Sequence, residues 1–263
     1  MTELPFVSVV VPTLPGRDAL LRDCLGSLHA QTYPQNRHEV VVITDSAREG
    51  AGAARNRGLA QTRGELICFL DDDAIAPPGW LAAMVGGAER HPDAGLVGGA
   101  VRPRFDAPPP RTCAEHDLSG AVLDEGPRDA GTDEVWGCNM AVRRELFDRL
   151  GGFDESMQLA EDWDLGRRAI EAGSRIVYLP DAWIEHRRLA DDLRVRSMPL
   201  EHLRRGFVVG MRITPPPNPA QCGRDALRWA RHAASARCTR GLTEAAKASG
   251  RALGGLARAV RRR

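Results

Sequence analysis

The stretch Ile67-Cys68-Phe69-Leu70-Asp71-Asp72-Asp73 constrains this chain more than any other, because an apolar run of strand character stops at three consecutive carboxylates. Burying Ile67, Phe69 and Leu70 in a sheet carries the acids to the strand's carboxyl end, and in open α/β sheets that edge is where ligands bind. Three adjacent negative charges repel one another unless a cation or solvent relieves them. Alternation along an extended segment points Asp71 and Asp73 the same way and Asp72 the other. Asp71 and Asp73 then form a two-carboxylate oxygen site suited to Mg²⁺ or Mn²⁺, cations that also bind substrate phosphates. A solvated acidic turn closed by Pro77-Pro78-Gly79 is the alternative.

Upstream, Phe6-Val7-Ser8-Val9-Val10-Val11 is β-branched and nearly all apolar, and Pro12 is expected to end it. The apolar stripe Leu20, Leu21, Cys24, Leu25 and Leu28 predicts a helix from Asp18 to about His29. Val40 to Ile43 reads as a second strand ending at Thr44-Asp45-Ser46, and a glycine- and alanine-rich segment from Gly50 to Thr62 precedes the strand of the triplet. Strand, helix, strand, helix, strand is the order of a doubly wound, Rossmann-like α/β fold with a mainly parallel sheet. From about Arg102 to Asp133, including Pro108-Pro109-Pro110, the pattern turns to loop of a length that usually serves function or moves. Helices are expected at Arg143 to Leu150 and Asp162 to Ala172, and a further strand at Arg175 to Leu179, with a turn at Asp181.

With 263 residues, 43% of them hydrophobic, the chain can bury a sizeable core. No run approaches the ~18 to 20 apolar residues of a membrane span, and Met1-Thr2-Glu3 lacks a basic signal-peptide start, so a cytoplasmic location is expected. The cysteines at 24, 68, 113, 138, 222 and 238 show no Cys-x-x-Cys or zinc spacing and read as reduced thiols, without structural zinc. The net charge of +1 conceals an asymmetry: residues 187–263 hold 18 Lys/Arg against 5 Asp/Glu. In this tail Leu242, Ala245, Ala246, Leu253, Leu256, Ala257 and Val260 recur at helical spacing opposite a basic face, while Gly250, Gly254 and Gly255 weaken the helix.

Pro12-Thr13, Asp45, Ala54-Arg55-Asn56-Arg57-Gly58, Asp71-Asp72-Asp73, Gly137-Cys138-Asn139-Met140-Ala141, Leu150-Gly151-Gly152-Phe153-Asp154-Glu155, Glu161-Asp162-Trp163-Asp164-Leu165 and Pro180 to His186 stand in one order. Together they resemble the inverting glycosyltransferases of family 2, over about residues 6 to 187. The resemblance implies a GT-A fold with a mixed, mainly parallel sheet flanked by helices. It implies a catalytic domain over 1–190, with a nucleotide-sugar-binding half to about residue 100 and an acceptor-binding, catalytic half from about 101. A basic helical extension over 191–263 completes the chain.

The activity so implied is transfer of a sugar from a nucleoside-diphosphate sugar to an acceptor hydroxyl by single displacement, in the hexosyltransferase class EC 2.4. Asp71 and Asp73 correspond to a DXD motif holding Mn²⁺ or Mg²⁺, and His186 completes the metal site in some relatives. Thr13, Arg17, Asp45, Arg55 and Asp72 are candidates for donor contact. Asp45 matches the acid that meets base or ribose, although many relatives carry two acids where this chain has Thr44-Asp45; an ordinary turn aspartate is the bland reading. Arg55 could pair with a phosphate or with an acidic site residue. In the Glu161-Asp162 pair, Asp162 corresponds to the base that takes the acceptor's proton. Read without the resemblance, it is a helix N-terminal acid that suits the dipole. Trp136, Gly137, Cys138 and Asn139 would shape the sugar and acceptor pocket, with Trp163 nearby; for Trp136, Trp163 and Trp183, core packing is the plain alternative. Gly151-Gly152-Phe153 reads as a turn and core anchor.

Two other functions compete. A nucleotidyltransferase of related fold needs a basic glycine-rich loop after strand one, of which Leu14-Pro15-Gly16-Arg17 is a poor version. A non-catalytic nucleotide-sugar-binding protein is the other. Nucleic acid is not expected as a partner, since Trp229 stands nearly alone in the tail as a stacking surface. The basic helix suits peripheral contact with an anionic membrane at the cytoplasmic face, where a lipid-linked acceptor could be found. Equally open are packing of that stripe on the catalytic domain or on a second subunit in a homodimer.

Overall fold

A computed structural model describes residues 3–108, 122–190, 198–212, 217–236 and 239–261. The chain divides into two units, Met1–Arg102 with Leu123–Arg187, and Pro103–Val122 with Arg188–Arg263.

The first unit is built on β1 (Val7–Thr13), α1 (Asp18–His29), β2 (His38–Thr44), α2 (Ala51–Leu59), β3 (Leu66–Leu70), β4 (Ala74–Ile75), α3 (Trp80–Arg90), β5 (Ala94–Phe105), β6 (Ala130–Gly131), β7 (Asn139–Arg143), α4 (Arg144–Leu150), α5 (Glu161–Glu171) and β8 (Arg175–Arg188). The sheet runs β2-β1-β3-β7-β5-β8-β4, with β6 beside β8. β2, β1 and β3 are parallel, whereas β7 lies antiparallel to both β3 and β5. This is a mixed α/β sheet with helices on both faces.

Period-two alternation decides which face each apolar residue serves. Val7, Val9 and Val11 of β1, with Leu66, Cys68 and Leu70 of β3, pack on Cys24 and Leu28 of α1 and on Trp80, Leu81 and Met84 of α3. Val10, Ile67 and Phe69 point the other way, onto Phe147 of α4, Leu165 of α5 and Phe153 of the turn between them. The near-continuous apolar runs of β1 and β3 follow from this two-sided burial. Gly58 lets α2 press on β1, since a Cβ there would stand 2.4 Å from Val10 Cγ1.

Three boundaries differ from expectation. β1 continues through Pro12, which pairs with Ile43; the pairing of β1 with β3 stops at Val10 and Phe69, so Pro12 has one strand neighbour and its missing N–H is tolerated. β8 shows no turn at Asp181, because β6 pairs with its first half and β4 with its second, carrying the strand to Arg188. The stretch expected as loop from Arg102 keeps strand to Phe105; within it residues 109–121, including Pro109, Pro110 and Cys113, lie outside the described residues, as does Cys238. α3 fills a segment the motif pattern leaves unassigned. Cys24, Cys68, Cys138 and Cys222 are free thiols.

Among the described residues the second unit contains α6 (Met198–Arg212), α7 (Pro219–Ala236) and α8 (Thr239–Arg261), three helices where periodicity predicts one. The glycines that weaken α8 as an isolated helix are its packing surface. A Cβ at Gly250 would meet Leu203 O at 2.1 Å and one at Gly254 would meet Phe207 O at 2.1 Å, so α6 and α8 touch backbone to backbone. Among the described residues no helix is long and apolar enough to cross a membrane.

Candidate active site

The triplet forms a turn after β3, not a continued strand: Ala74 N–H donates to Asp71 O at 3.0 Å. The turn nevertheless sorts the acids as alternation predicts. Asp72 is buried and accepts from Thr13 Oγ1 and from Arg17 Nε, at 2.9 Å to Oδ2 and 3.0 Å to Oδ1. Asp71 and Asp73 face His186, whose Nε2 lies 3.8 Å from Asp71 Oδ2 and 3.3 Å from Asp73 Oδ1. Strand pairing puts the histidine there, since Ala74 of β4 is register partner of His186 and Arg187 N–H donates to Asp73 O at 2.9 Å.

Arg55 of α2 joins this turn to the second acidic centre. Its side chain is 3% exposed; Nη2 donates to Asp71 Oδ1 at 2.8 Å and Nη1 to Glu161 Oε1 at 2.6 Å. The guanidinium lies against Gly137, where an added Cβ would stand 2.9 Å from three of its atoms. Gly137 N–H donates to Asp162 Oδ2 at 2.9 Å, and Asp162 Oδ1 accepts from Trp163 N–H at 2.8 Å. Ala160, just before Glu161, holds a left-handed backbone, φ 61°, that a non-glycine residue adopts at a cost.

Five carboxylates, Asp71, Asp72, Asp73, Glu161 and Asp162, thus face three cationic side chains, Arg17, Arg55 and His186. Burial works to raise Asp71, but Arg55 and His186 outweigh it and hold its carboxyl below the usual range. Burial dominates at Asp73 and Glu161, which are pushed up despite their cationic neighbours. For His186, burial works against the imidazolium, yet Cys138, Asp71 and Asp73 carry it well above the ordinary imidazole value. Asp73 Oδ1 is buried without a hydrogen-bond partner. An orphaned carboxylate oxygen beside a second carboxylate and an imidazole fits a divalent cation.

A cleft of about 310 Å³ opens over Pro12, Thr13, Arg17, Asp45, Ala54 and Asp71–Asp73, at the lower end of ligand-pocket volumes. Both oxygens of Asp45 are engaged inside its wall: Glu49 N–H, Gly50 N–H and Arg57 Nη2 donate at 3.1, 2.9 and 3.0 Å. Asp45 therefore closes the loop into α2, whatever it also offers a ligand. Arg48 lines the same cleft in a left-handed conformation, φ 55°. Sequence reasoning passed over it, although it follows the carboxyl end of β2, where the rule that singled out Asp45 also applies.

Other expected contacts lie elsewhere. Asn139 is 0% exposed; its Oδ1 accepts from Trp80 Nε1 at 2.8 Å and its Nδ2 donates to Ala100 O and Ala182 O at 2.9 and 2.8 Å. That amide locks the sheet and has no face for a sugar hydroxyl. Cys138 lies with Asp71 and His186. Trp136 is half-buried, donating to Glu134 Oε1 at 3.1 Å and packing on the core. Trp163 and Trp183 are half-buried beside Arg167 and Arg102, while the core tryptophan is Trp80. Asp164 serves architecture: it holds Arg168 at 2.7 Å, and Arg168 donates to Leu150 O and Gly152 O of the glycine turn. In that turn Gly151 and Gly152 have φ 74° and 81°, and Phe153 packs in the core.

Comparison with known proteins agrees with this architecture. The family model described as "Glycosyltransferase like family 2" matches residues 37–231. The "Pre-mycofactocin glycosyltransferase" of Mycobacterium tuberculosis is 32% identical over 157 residues, covering 56% of this chain and 32% of that protein. The "Glucosyl-dolichyl phosphate glucuronosyltransferase" of Haloferax volcanii is 28% identical over 160 residues, covering 57% of this chain and 51% of that protein. The chain thus spans about a third to a half of these relatives' length. Among solved structures, the mannosyltransferase PcManGT from Pyrobaculum calidifontis, in complex with GDP-Man and Mn²⁺, superposes with a TM-score of 0.61 at 20% identity, over 99% of this chain and 76% of that one.

Proposed function

The chain belongs to the glycosyltransferase-like family 2, and from that premise we propose that it moves a sugar from a nucleoside-diphosphate sugar to an acceptor hydroxyl with inversion. What carries this reading is Arg55, whose one guanidinium spans from the acidic triplet to Glu161, next to Asp162. A leaving-group site and a proton-accepting site then stand on either side of one buried cation.

The donor's diphosphate enters the cleft beside Arg17 and Arg48, whose positive charge suits phosphate oxygens. Asp71, Asp73 and His186 would hold a divalent ion, which when bound supplies Lewis-acid neutralisation of the leaving diphosphate. Arg17 keeps Asp72 turned away from that group. Asp162, oriented by Gly137 N–H, accepts the acceptor hydroxyl's proton as its oxygen attacks the anomeric carbon opposite the leaving group. The test is product analysis: release of nucleoside diphosphate supports sugar transfer, and release of pyrophosphate supports nucleotidyl transfer instead.

Helix α8 exposes Leu242, Leu253 and Leu256 among basic residues. Such a face suits the surface of an anionic membrane, and a lipid-linked acceptor would be met there. Flotation of the full chain with anionic and with zwitterionic vesicles tests this; equal recovery sinks it.

A further inference from the structure

Cys138 precedes β7 and is buried, 7% exposed. Its Sγ, a carboxylate oxygen of Asp71 and a ring nitrogen of His186 all lie within 4.8 Å of one another. Neither arginine of the site satisfies the oxygens on this side: Arg55 uses Asp71 Oδ1 and Arg17 uses Asp73 Oδ2, leaving Asp73 Oδ1 buried without a hydrogen-bond partner. The histidine is set up as a ligand. Its Nδ1 lies 3.2 Å from Arg187 O, so that an Nδ1–H donates to the carbonyl and Nε2 faces Asp71 and Asp73, where it can exchange its proton for an ion. No cysteine spacing signals the cluster, because its members come from the turn after β3, the approach to β7 and the far half of β8.

Resting on the metal reading above, we propose that Cys138 is a further ligand of the same ion, bound as thiolate, and that the site therefore takes a borderline transition ion such as Co²⁺ or Zn²⁺ in preference to Mg²⁺. Sulfur and imidazole favour those ions, whereas Mg²⁺ keeps to oxygen. As the bonds to the ion form, the Cys138 thiol gives its proton to solvent and the His186 imidazolium gives up its Nε2 proton as well.

The test is titration of the full metal-free chain with Co²⁺, reading the near-ultraviolet thiolate-to-cobalt charge-transfer band, with binding followed in parallel by calorimetry. The wild type shows the band. Cys138→Ser, checked for folding by thermal melting, binds Co²⁺ without it, and needs at least tenfold less Mg²⁺ to displace half of the cobalt. Asp71→Asn, which keeps the thiol, loses the band as well, and this variant decides the matter if Cys138→Ser does not fold. Calorimetric binding by the wild type with no band overturns the thiolate ligand while sparing the metal reading. A band that survives Cys138→Ser assigns it to another cysteine, a band that survives Asp71→Asn places the thiolate-bound cobalt away from the Asp71 site, and an unchanged Mg²⁺ competition removes the selectivity; each overturns the proposal. No Co²⁺ binding at all overturns both this proposal and the metal reading beneath it.

Discussion

Arg55→Met isolates the electrostatic work of the buried cation, because methionine retains most of the side chain's apolar volume and removes its charge. The guanidinium makes its pairs at 2.8 Å to Asp71 and 2.6 Å to Glu161 with only 3% of the side chain exposed. Without it two carboxylates confront each other across a space sealed by Gly137 and Phe153. Removing one member of a buried ion pair costs about 3–5 kcal/mol, since the remaining charge is desolvated and uncompensated. At about 2–4 °C per kcal/mol for a chain of this class, Tm should fall by roughly 10 °C in calorimetry at neutral pH. The sign with pH follows from Glu161. Burial already raises it, and with Arg55 gone it rises further, so the folded variant favours the protonated acid. Stability from a raised carboxylate is present at low pH and lost as pH rises, so the deficit must shrink between about pH 8 and about pH 5. A fall of less than about 2 °C, or a deficit that grows on acidification, would refute the reasoning.

The proton-transfer assignment predicts that Asp162→Asn lowers transfer at least ~100-fold while donor affinity, by calorimetry, stays within about threefold; activity within about tenfold of wild type removes Asp162 from that role. Asp73→Ala should abolish the Mn²⁺-dependent part of the thermal shift given by nucleoside diphosphates, and an unchanged Mn²⁺ dependence contradicts its place at the ion. Gly254→Ala reverses the usual sign: alanine ordinarily stabilises a helix by about 1 kcal/mol over glycine, but here its Cβ meets Phe207 O at 2.1 Å, so hydrogen-exchange protection of α8 should drop. Although burial acts to raise Asp45, the N–H groups of Gly50 and Glu49 and the Arg57 guanidinium hold it below the usual range. The stability it brings is present above about pH 4 and lost as pH falls through its folded value. Asp45→Asn should therefore flatten acid unfolding followed by tryptophan fluorescence; an unaltered slope counts against it.

Local pattern carried a large part of this protein. The bounds of α1, the apolar runs of β1 and β3, the acids at the end of β3, and α4 and α5 on either side of the Gly151-Gly152 turn follow from periodicity, punctuation and burial, which act over a few residues. The same local rules mistook the glycines of α8 for weakness, because their worth lies in a partner helix that periodicity does not reveal. The resemblance, for its part, offered Asn139 to a sugar, whereas Trp80 and two strand carbonyls hold its amide. What tertiary structure alone decided is the company of each site residue: Arg55 between Asp71 and Glu161, Gly137 holding Asp162, and Cys138 beside Asp71 and His186. Those groups are distant in sequence and come together only when β3, β7, β8 and α5 are packed. The residue types at a strand's end can be read from the chain, but which atoms remain unsatisfied there depends on every neighbour the fold supplies.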